Sequence, residues 1–230
     1  MLEQLSATDR AIVERALPLT MTGVPRLVAA IDAVRYLVAR GIPGDFVECG
    51  VWRGGSVLAM ILALQELGRD DRDLHLFDTF EGMTEPGPDD VSDQEVALDT
   101  YRRARTEGRR PWAELFGEDM FSEEDLRASL GETGYPEQRL HIVRGEVERT
   151  IPGAAPERIA LLRLDTDWYE STRHELQHLY PRLATGGVLI VDDYGHWQGA
   201  RRAVDEYFEA NPPRPLLTRI DYTGRIAVRG

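Results

Sequence analysis

Ile159-Ala-Leu-Leu-Arg-Leu-Asp165-Thr-Asp167-Trp-Tyr-Glu-Ser-Thr172 and Gly187-Val-Leu-Ile-Val-Asp192-Asp193-Tyr-Gly-His196 share one pattern: a short, almost wholly apolar run that stops on aspartates. Each run is too short for a helix and rich in branched residues, as expected of a parallel strand covered on both faces. Two such strands side by side gather Asp165, Asp167, Asp192 and Asp193 beyond the carboxyl ends of an open α/β sheet, where ligands bind. Like charges repel, so the cluster calls for a divalent cation, a cationic ligand or shared protons.

Working outward, Asp45-Phe-Val-Glu48-Cys-Gly50 reads as a strand, Val51-Trp52-Arg53-Gly54-Gly55-Ser56 as a glycine-rich loop and Val57 to Leu67 as a helix, the first half of a βαβ unit. Arg72 to Asp78 is a second strand, again ending on an acid, and Gln138 to Gly145 a third. Residues 5 to 17 and Val24 to Arg40 have helical spacing, the latter with Pro25 at its start and Gly41 at its end. Tyr169 to Leu183 predicts a helix stopped by Thr185-Gly186-Gly187, and Gln198 to Ala210 another; Pro215 to Ile220 and Arg225 to Arg229 are spaced as a hairpin. An α/β domain spanning residues 1–230 follows, with N-terminal helices over 1–41 and a mostly parallel sheet closed by an antiparallel hairpin. Between residues 81 and 130 the pattern breaks into acids, prolines and glycines, with weak helical spacing around Tyr101 and Leu126. This insertion is either a lid or a solvated surface excursion.

Composition narrows the partners. With 27 basic and 40 acidic residues the net charge is -13, which works against nucleic acid or an anionic membrane as partner. Every basic chain is arginine, so mechanisms that need a lysine are excluded. The single Cys49 and the lack of a basic-then-apolar leader favour a reducing cytoplasm, and no apolar run has the length of a membrane span. A homo-oligomer is expected.

The glycine-rich loop lets a ligand approach backbone, but its spacing is not that of the dinucleotide loop, and Glu48 just before it would repel a pyrophosphate while holding an ammonium. Asp78 after the second strand can accept both hydroxyls of a ribose. Together with Phe77-Asp-Thr-Phe-Glu-Gly82, the loop Gly44 to Ser56 and the two opening stretches, the chain resembles the macrocin O-methyltransferase (TylF) family of class I S-adenosylmethionine-dependent methyltransferases. That resemblance implies a Rossmann-like seven-stranded sheet. It also implies magnesium-dependent methylation of a hydroxyl on a small natural product, such as a deoxysugar. Carried over residue by residue, it places Asp165, Asp192 and Asp193 at the metal and Asp167 at the general base. Glu48, Gly50, Trp52, Arg53, Gly54, Ser56, Asp78, Phe80 and Asp165 fall at the S-adenosylmethionine. Thr166, where glycine is common, and Glu146-Val-Glu-Arg149 depart from the family pattern and bear on substrate or adenine fit.

Asp167 has a second reading as the N-cap of the helix from Tyr169. His196 can assist proton removal or be merely structural, and Trp52, Trp168, Tyr169 and Trp197 can stack on a ligand or simply pack. His174 and His178 share a helix face without a third ligand, so solvated histidines are the favoured reading. A haloacid-dehalogenase-like phosphatase is the rival enzyme, since Asp165-Thr-Asp167 and Asp192-Asp193 imitate its motifs, but the motif lies on the fourth strand and lysine is missing. A non-catalytic S-adenosylmethionine-binding module is the third possibility.

Overall fold

The computed structural model describes residues 2–116 and 121–230. Two helices come first, α1 (Ala7–Ala16) and α2 (Val24–Arg40). Pro25 opens α2, where its missing N–H costs nothing, and Gly41 closes it with φ 63° while its N–H returns to the last turn. Then follow β1 (Asp45–Cys49), α3 (Gly55–Glu66) and β2 (Leu74–Asp78). The insertion contributes α4 (Ala97–Thr106), α5 (Ala113–Phe116) and α6 (Glu123–Gly131). Next come β3 (Leu140–Arg144), α7 (Val147–Thr150), β4 (Ile159–Leu164), α8 (Tyr169–Leu179), β5 (Leu183–Val191) and α9 (Gln198–Ala210). β6 (Thr218–Arg219) and β7 (Arg225–Val228) end the fold.

The strands form one seven-stranded sheet in the order β3-β2-β1-β4-β5-β7-β6, parallel except that β7 runs antiparallel to β5 and β6. From β1 the chain steps outward to β2 and β3, then returns to β4 on the other side, so the topological switch lies between β1 and β4. In such a sheet the ligand crevice opens at that switch. Register makes the crevice sharp: Cys49 pairs Leu164 and Leu164 pairs Val191, so Gly50, Asp165 and Asp192 leave the sheet at one level. Their amides continue the ladder, Gly50 N–H to Phe77 O at 2.8 Å, Asp165 to Cys49 and Asp192 to Leu164 at 2.9 Å each.

One core packs α1, α2 and α3 against one face of the sheet, and a second packs α7, α8 and α9 against the other. α3 is buried nearly all round, which explains why its sequence lacks a polar face. Each large aliphatic side chain fully buried there contributes about 1.5–3 kcal/mol.

The insertion is built into the domain. Trp112 from it packs at a tilt against Trp168, which meets Trp197 edge-on, with ring centroids 5.6 and 5.1 Å apart. Asp90, almost fully buried, accepts the Tyr169 N–H at 2.7 Å. Residues 117–120 of the insertion lie outside the described residues.

Boundaries differ from those predicted at three places that involve proline or glycine. The helix expected to reach Leu183 stops at Leu179, and a 3-10 turn over Tyr180–Arg182 follows, because Pro181 cannot donate to a continuing helix. Thr185-Gly186-Gly187 lies inside β5 and not at a helix end; pairing jumps from Ile159↔Leu183 to Leu161↔Val188, and Gly186 (φ 80°) absorbs the irregularity. The predicted strand from Pro215 shrinks to two residues, Thr218–Arg219, and Pro215, which has no ladder donor, lies outside it.

Candidate active site

A cavity of about 280 Å³ opens at the switch point. Of the sequence-stretch candidates, Gly50, Trp52, Asp78, Phe80, Asp165, Asp167, Asp192, Asp193 and His196 all line it. Glu48, Arg53, Gly54 and Ser56 do not. Glu48 lies beneath the floor, Arg53 stacks over the rings of Trp52 and Phe121, and Gly54 and Ser56 sit at the start of α3, Gly54 against Leu126.

At one end of the cavity Asp78 organises the loop after β1. Its Oδ2 accepts the Val51 and Trp52 amides and its Oδ1 the Phe80 amide, each at 2.8 Å. Trp52 (φ 49°) and Phe80 (φ 52°) are thereby held in the left-handed region, a costly conformation for aromatic residues that recurs at ligand sites. Oδ2 is thus filled by two amides, while Oδ1 keeps a lone pair for a further donor. Gly50 has φ 81°, and a Cβ there would fall 1.9 Å from the Asp165 carbonyl oxygen, so only glycine lets β1 and β4 deliver their loops side by side.

At the other end stand the acids. Arg163, an arginine in the middle of β4 and 2 % exposed, reaches under them. Its Nη1 donates to Glu48 Oε1 at 2.7 Å and Asp165 Oδ2 at 2.8 Å, and its Nη2 to Thr22 Oγ1 at 2.9 Å and Asp192 Oδ1 at 2.5 Å. Burial pulls Arg163 down, but Asp165 and Glu48 more than reverse this and keep it above the ordinary guanidinium range. The second oxygen of Asp192 pairs with Arg26, from the first turn of α2. Sequence reasoning missed both arginines. The available signal was a charged residue inside a strand otherwise buried on both faces, which requires buried partners.

Five carboxylates, Glu48, Asp165, Asp167, Asp192 and Asp193, thus share two guanidiniums. The remaining negative charge shows in the acids farthest from the arginines. Burial, then repulsion from Asp167 and Asp165, pushes Asp193 well up; burial, then Asp165, pushes Asp167 up to about 7. Asp167 does not cap α8, because Asp90 takes that amide. It sits at φ 67° with its Oδ1 accepting Trp197 Nε1–H at 3.0 Å, and its amide donates to Asp193 Oδ2 at 3.3 Å. His196 is half-buried between Trp197 and Tyr222, and burial lowers its pKa, which favours the uncharged ring. His174 spends its Nε2 on the Ile151 carbonyl, 2.9 Å away.

Asp165, Asp192 and Asp193 can each offer one oxygen, all within 4.8 Å of one another. Three hard oxygen donors with surplus negative charge fit a small divalent cation of the magnesium type, and among the described residues no other such group forms.

The family model of macrocin O-methyltransferase (TylF) matches residues 4–228. The chain belongs to the TylF family of O-methyltransferases. The TylF-family chain is 36 % identical over 206 residues to 8-demethyl-8-(2,3-dimethoxy-alpha-L-rhamnosyl)-tetracenomycin-C 4'-O-methyltransferase of Streptomyces olivaceus, covering 89 % of this chain and 73 % of that protein. It is 34 % identical over 189 residues to demethyldecarbamoylnovobiocin O-methyltransferase of Streptomyces niveus, covering 82 % and 67 %. Among solved structures, the O-methyltransferase NovP superposes with a TM-score of 0.77 at 31 % identity, covering 92 % of this chain and 82 % of that one. TylF membership sets aside the phosphatase reading and makes this chain an enzyme of methyl transfer to oxygen. No helix among the described residues is long and apolar enough to cross a membrane.

Proposed function

We propose that this enzyme transfers the methyl group of S-adenosylmethionine to a sugar hydroxyl of a glycosylated natural product, with magnesium at Asp165, Asp192 and Asp193. The observation that carries the reading is that one cavity joins the Asp78-pinned loop to the acidic cluster. In it Asp78 accepts a ribose hydroxyl through Oδ1, while Trp52 and Phe80 flank the adenosine. Bound by the three aspartates, magnesium would supply a Lewis acid that orients the acceptor hydroxyl and makes it more acidic. The acceptor oxygen attacks the sulfonium methyl in line, the C–S bond breaks with its electrons going to sulfur, and the hydroxyl proton passes to Asp167. The products are a methyl ether and S-adenosylhomocysteine. Burial, the main cause of its raised carboxyl, makes Asp167 a better proton acceptor than an ordinary aspartate. His196 offers a hydrogen bond to the acceptor on the same wall.

The acceptor class rests on the relatives, whose names specify a rhamnosyl tetracenomycin and demethyldecarbamoylnovobiocin. The test is transfer of labelled methyl from S-adenosylmethionine to a panel of glycosylated polyketides and aminocoumarins and to simple catechols, with and without chelator. Turnover on glycosides that stops with chelator and returns with magnesium is expected. Turnover indifferent to chelator removes the metal from the mechanism, and turnover on catechols alone moves the acceptor to phenols.

A further inference from the structure

Both oxygens of Asp192 already accept a guanidinium N–H, but the two arginines are held very differently. Arg163 is locked: 2 % exposed, on a central strand, with four acceptors around its two Nη atoms. Arg26 lines the cavity, its side chain is 13 % exposed, and among the described residues it has two acidic partners, Asp192 and Asp221. Its Nε lies 3.0 Å from Asp221 Oδ2 yet is not aligned for a hydrogen bond. Asp221 itself is fixed, since its Oδ1 accepts the amides of Thr223 and Gly224 at 3.0 and 2.7 Å, leaving Oδ2 for Arg26. The same turn holds Asp192 from behind through Thr223 Oγ1, which donates to the Asp192 carbonyl at 2.6 Å.

We infer that Arg26 is a displaceable counter-cation that competes with the divalent ion for Asp192, and that Asp221 is the acceptor to which its charge transfers when the ion binds. This inference rests on the metal reading above. A guanidinium and a divalent ion both seek the same carboxylate oxygen, and two cations a few ångströms apart in a buried site repel strongly. Arg163 cannot leave, because its departure would strand Glu48 and Asp165. Arg26 can, because its stem is anchored at the mouth of the cavity and a fixed carboxylate lies beside its Nε. Arg26 thus holds the metal affinity below what three aspartates alone would give and keeps the acidic cluster compact when no ion is present. It is a positioning residue: its effect on the reaction passes through Asp192.

The competition predicts opposite shifts for two substitutions. Manganese is titrated into the full-length enzyme and the free ion is followed by its electron paramagnetic resonance signal, with magnesium as competitor. Arg26→Gln, which removes the competing charge, is expected to bind manganese about tenfold more tightly than wild type. Asp221→Asn, which removes the landing charge and leaves Arg26 more committed to Asp192, is expected to bind it several-fold more weakly. Circular dichroism and S-adenosylhomocysteine affinity like those of wild type identify folded variants, and Asp221→Asn alone suffices if Arg26→Gln does not fold. Unchanged or weaker binding by folded Arg26→Gln, or unchanged or tighter binding by Asp221→Asn, overturns the competition while the metal reading stands. Wild type that binds no manganese overturns both.

Discussion

Replacing Arg163 by methionine keeps much of its volume and removes its charge, leaving Glu48, 1 % exposed, with no cation in contact. Glu48 Oε2 already has no hydrogen-bond partner, so Oε1 would lose the only one the carboxylate has. Breaking a buried pair by removing one member costs about 3–5 kcal/mol, which for a chain of this size lowers Tm by roughly 6–20 °C. The cost must also depend on pH. Burial pushes Glu48 up to about 7 even with Arg163 pulling the other way. Without that pull the carboxyl rises further, so at pH 6 it takes a proton and the loss shrinks, whereas at pH 8 the loss is full. Removing the orphan as well, in Arg163→Met with Glu48→Gln, should recover a large part of the stability at pH 8 and flatten the difference between the two pH values. Urea unfolding of wild type, both single variants and the double variant, at pH 6 and 8, gives the complete cycle. A cost below about 1 kcal/mol at pH 8 for Arg163→Met, or no rescue by the second substitution, would refute a buried ion pair as what holds the floor of the site.

Asp167→Asn keeps an oxygen for Trp197 Nε1 but cannot take a proton; kcat should fall about 10²–10⁴-fold with S-adenosylhomocysteine affinity unchanged, and calorimetry showing loss of that affinity would assign Asp167 to binding. Asp90→Ala removes the acceptor of the Tyr169 amide and should cost about 0.5–2 kcal/mol in urea unfolding, with proteolysis quickening first in the insertion; cleavage unchanged there would mean the cap does not tether it. Glu175, buried on α8 with Thr166 donating to it at 2.9 Å, is raised well above its ordinary 4.5 by burial. A raised carboxyl contributes stability that is complete below the unfolded value and is lost as pH climbs toward the folded one, with a slope of at most about 1.4 kcal/mol per pH unit. Glu175→Gln should therefore remove part of the decline in stability above pH 5, and parallel curves for variant and wild type would show that Glu175 carries no such linkage.

Much of this was legible in the sequence because parallel strands advertise themselves: buried on both faces, they are apolar until the chain leaves the sheet, and the first polar residues mark the crevice. That rule located Asp78, Asp165 and Asp192 from one sequence. It does not see across the fold. Arg26 lies on a helix far upstream of Asp192, and nothing local distinguishes it from the other arginines of α2. Arg163 was visible as an anomaly, but three of its four acceptors, Thr22, Glu48 and Asp192, come from separate segments that only the fold brings together. The role of Glu48 changed for the same reason, since an acid ahead of a glycine loop looks ligand-facing until its strand partner is known to carry an arginine. Helix and strand limits slipped where proline and glycine can be read in two ways, as at Pro181 and Gly186.

The junction of Asp90 with Tyr169 bears on how relatives of this enzyme can be recombined. Asp90 reaches the α8 amide across the foot of α9, where a Cβ added to Gly199 would lie 2.0 Å from its Oδ1. A segment grafted in place of residues 81–130 to change the acceptor would therefore have to bring its own carboxylate at that point, and the recipient would have to keep glycine at 199. A chimera that ignores this pair would exchange the walls of the cavity and, with them, loosen the start of the helix that follows Asp167. The unit that can be transplanted is thus the insertion together with the beginnings of α8 and α9.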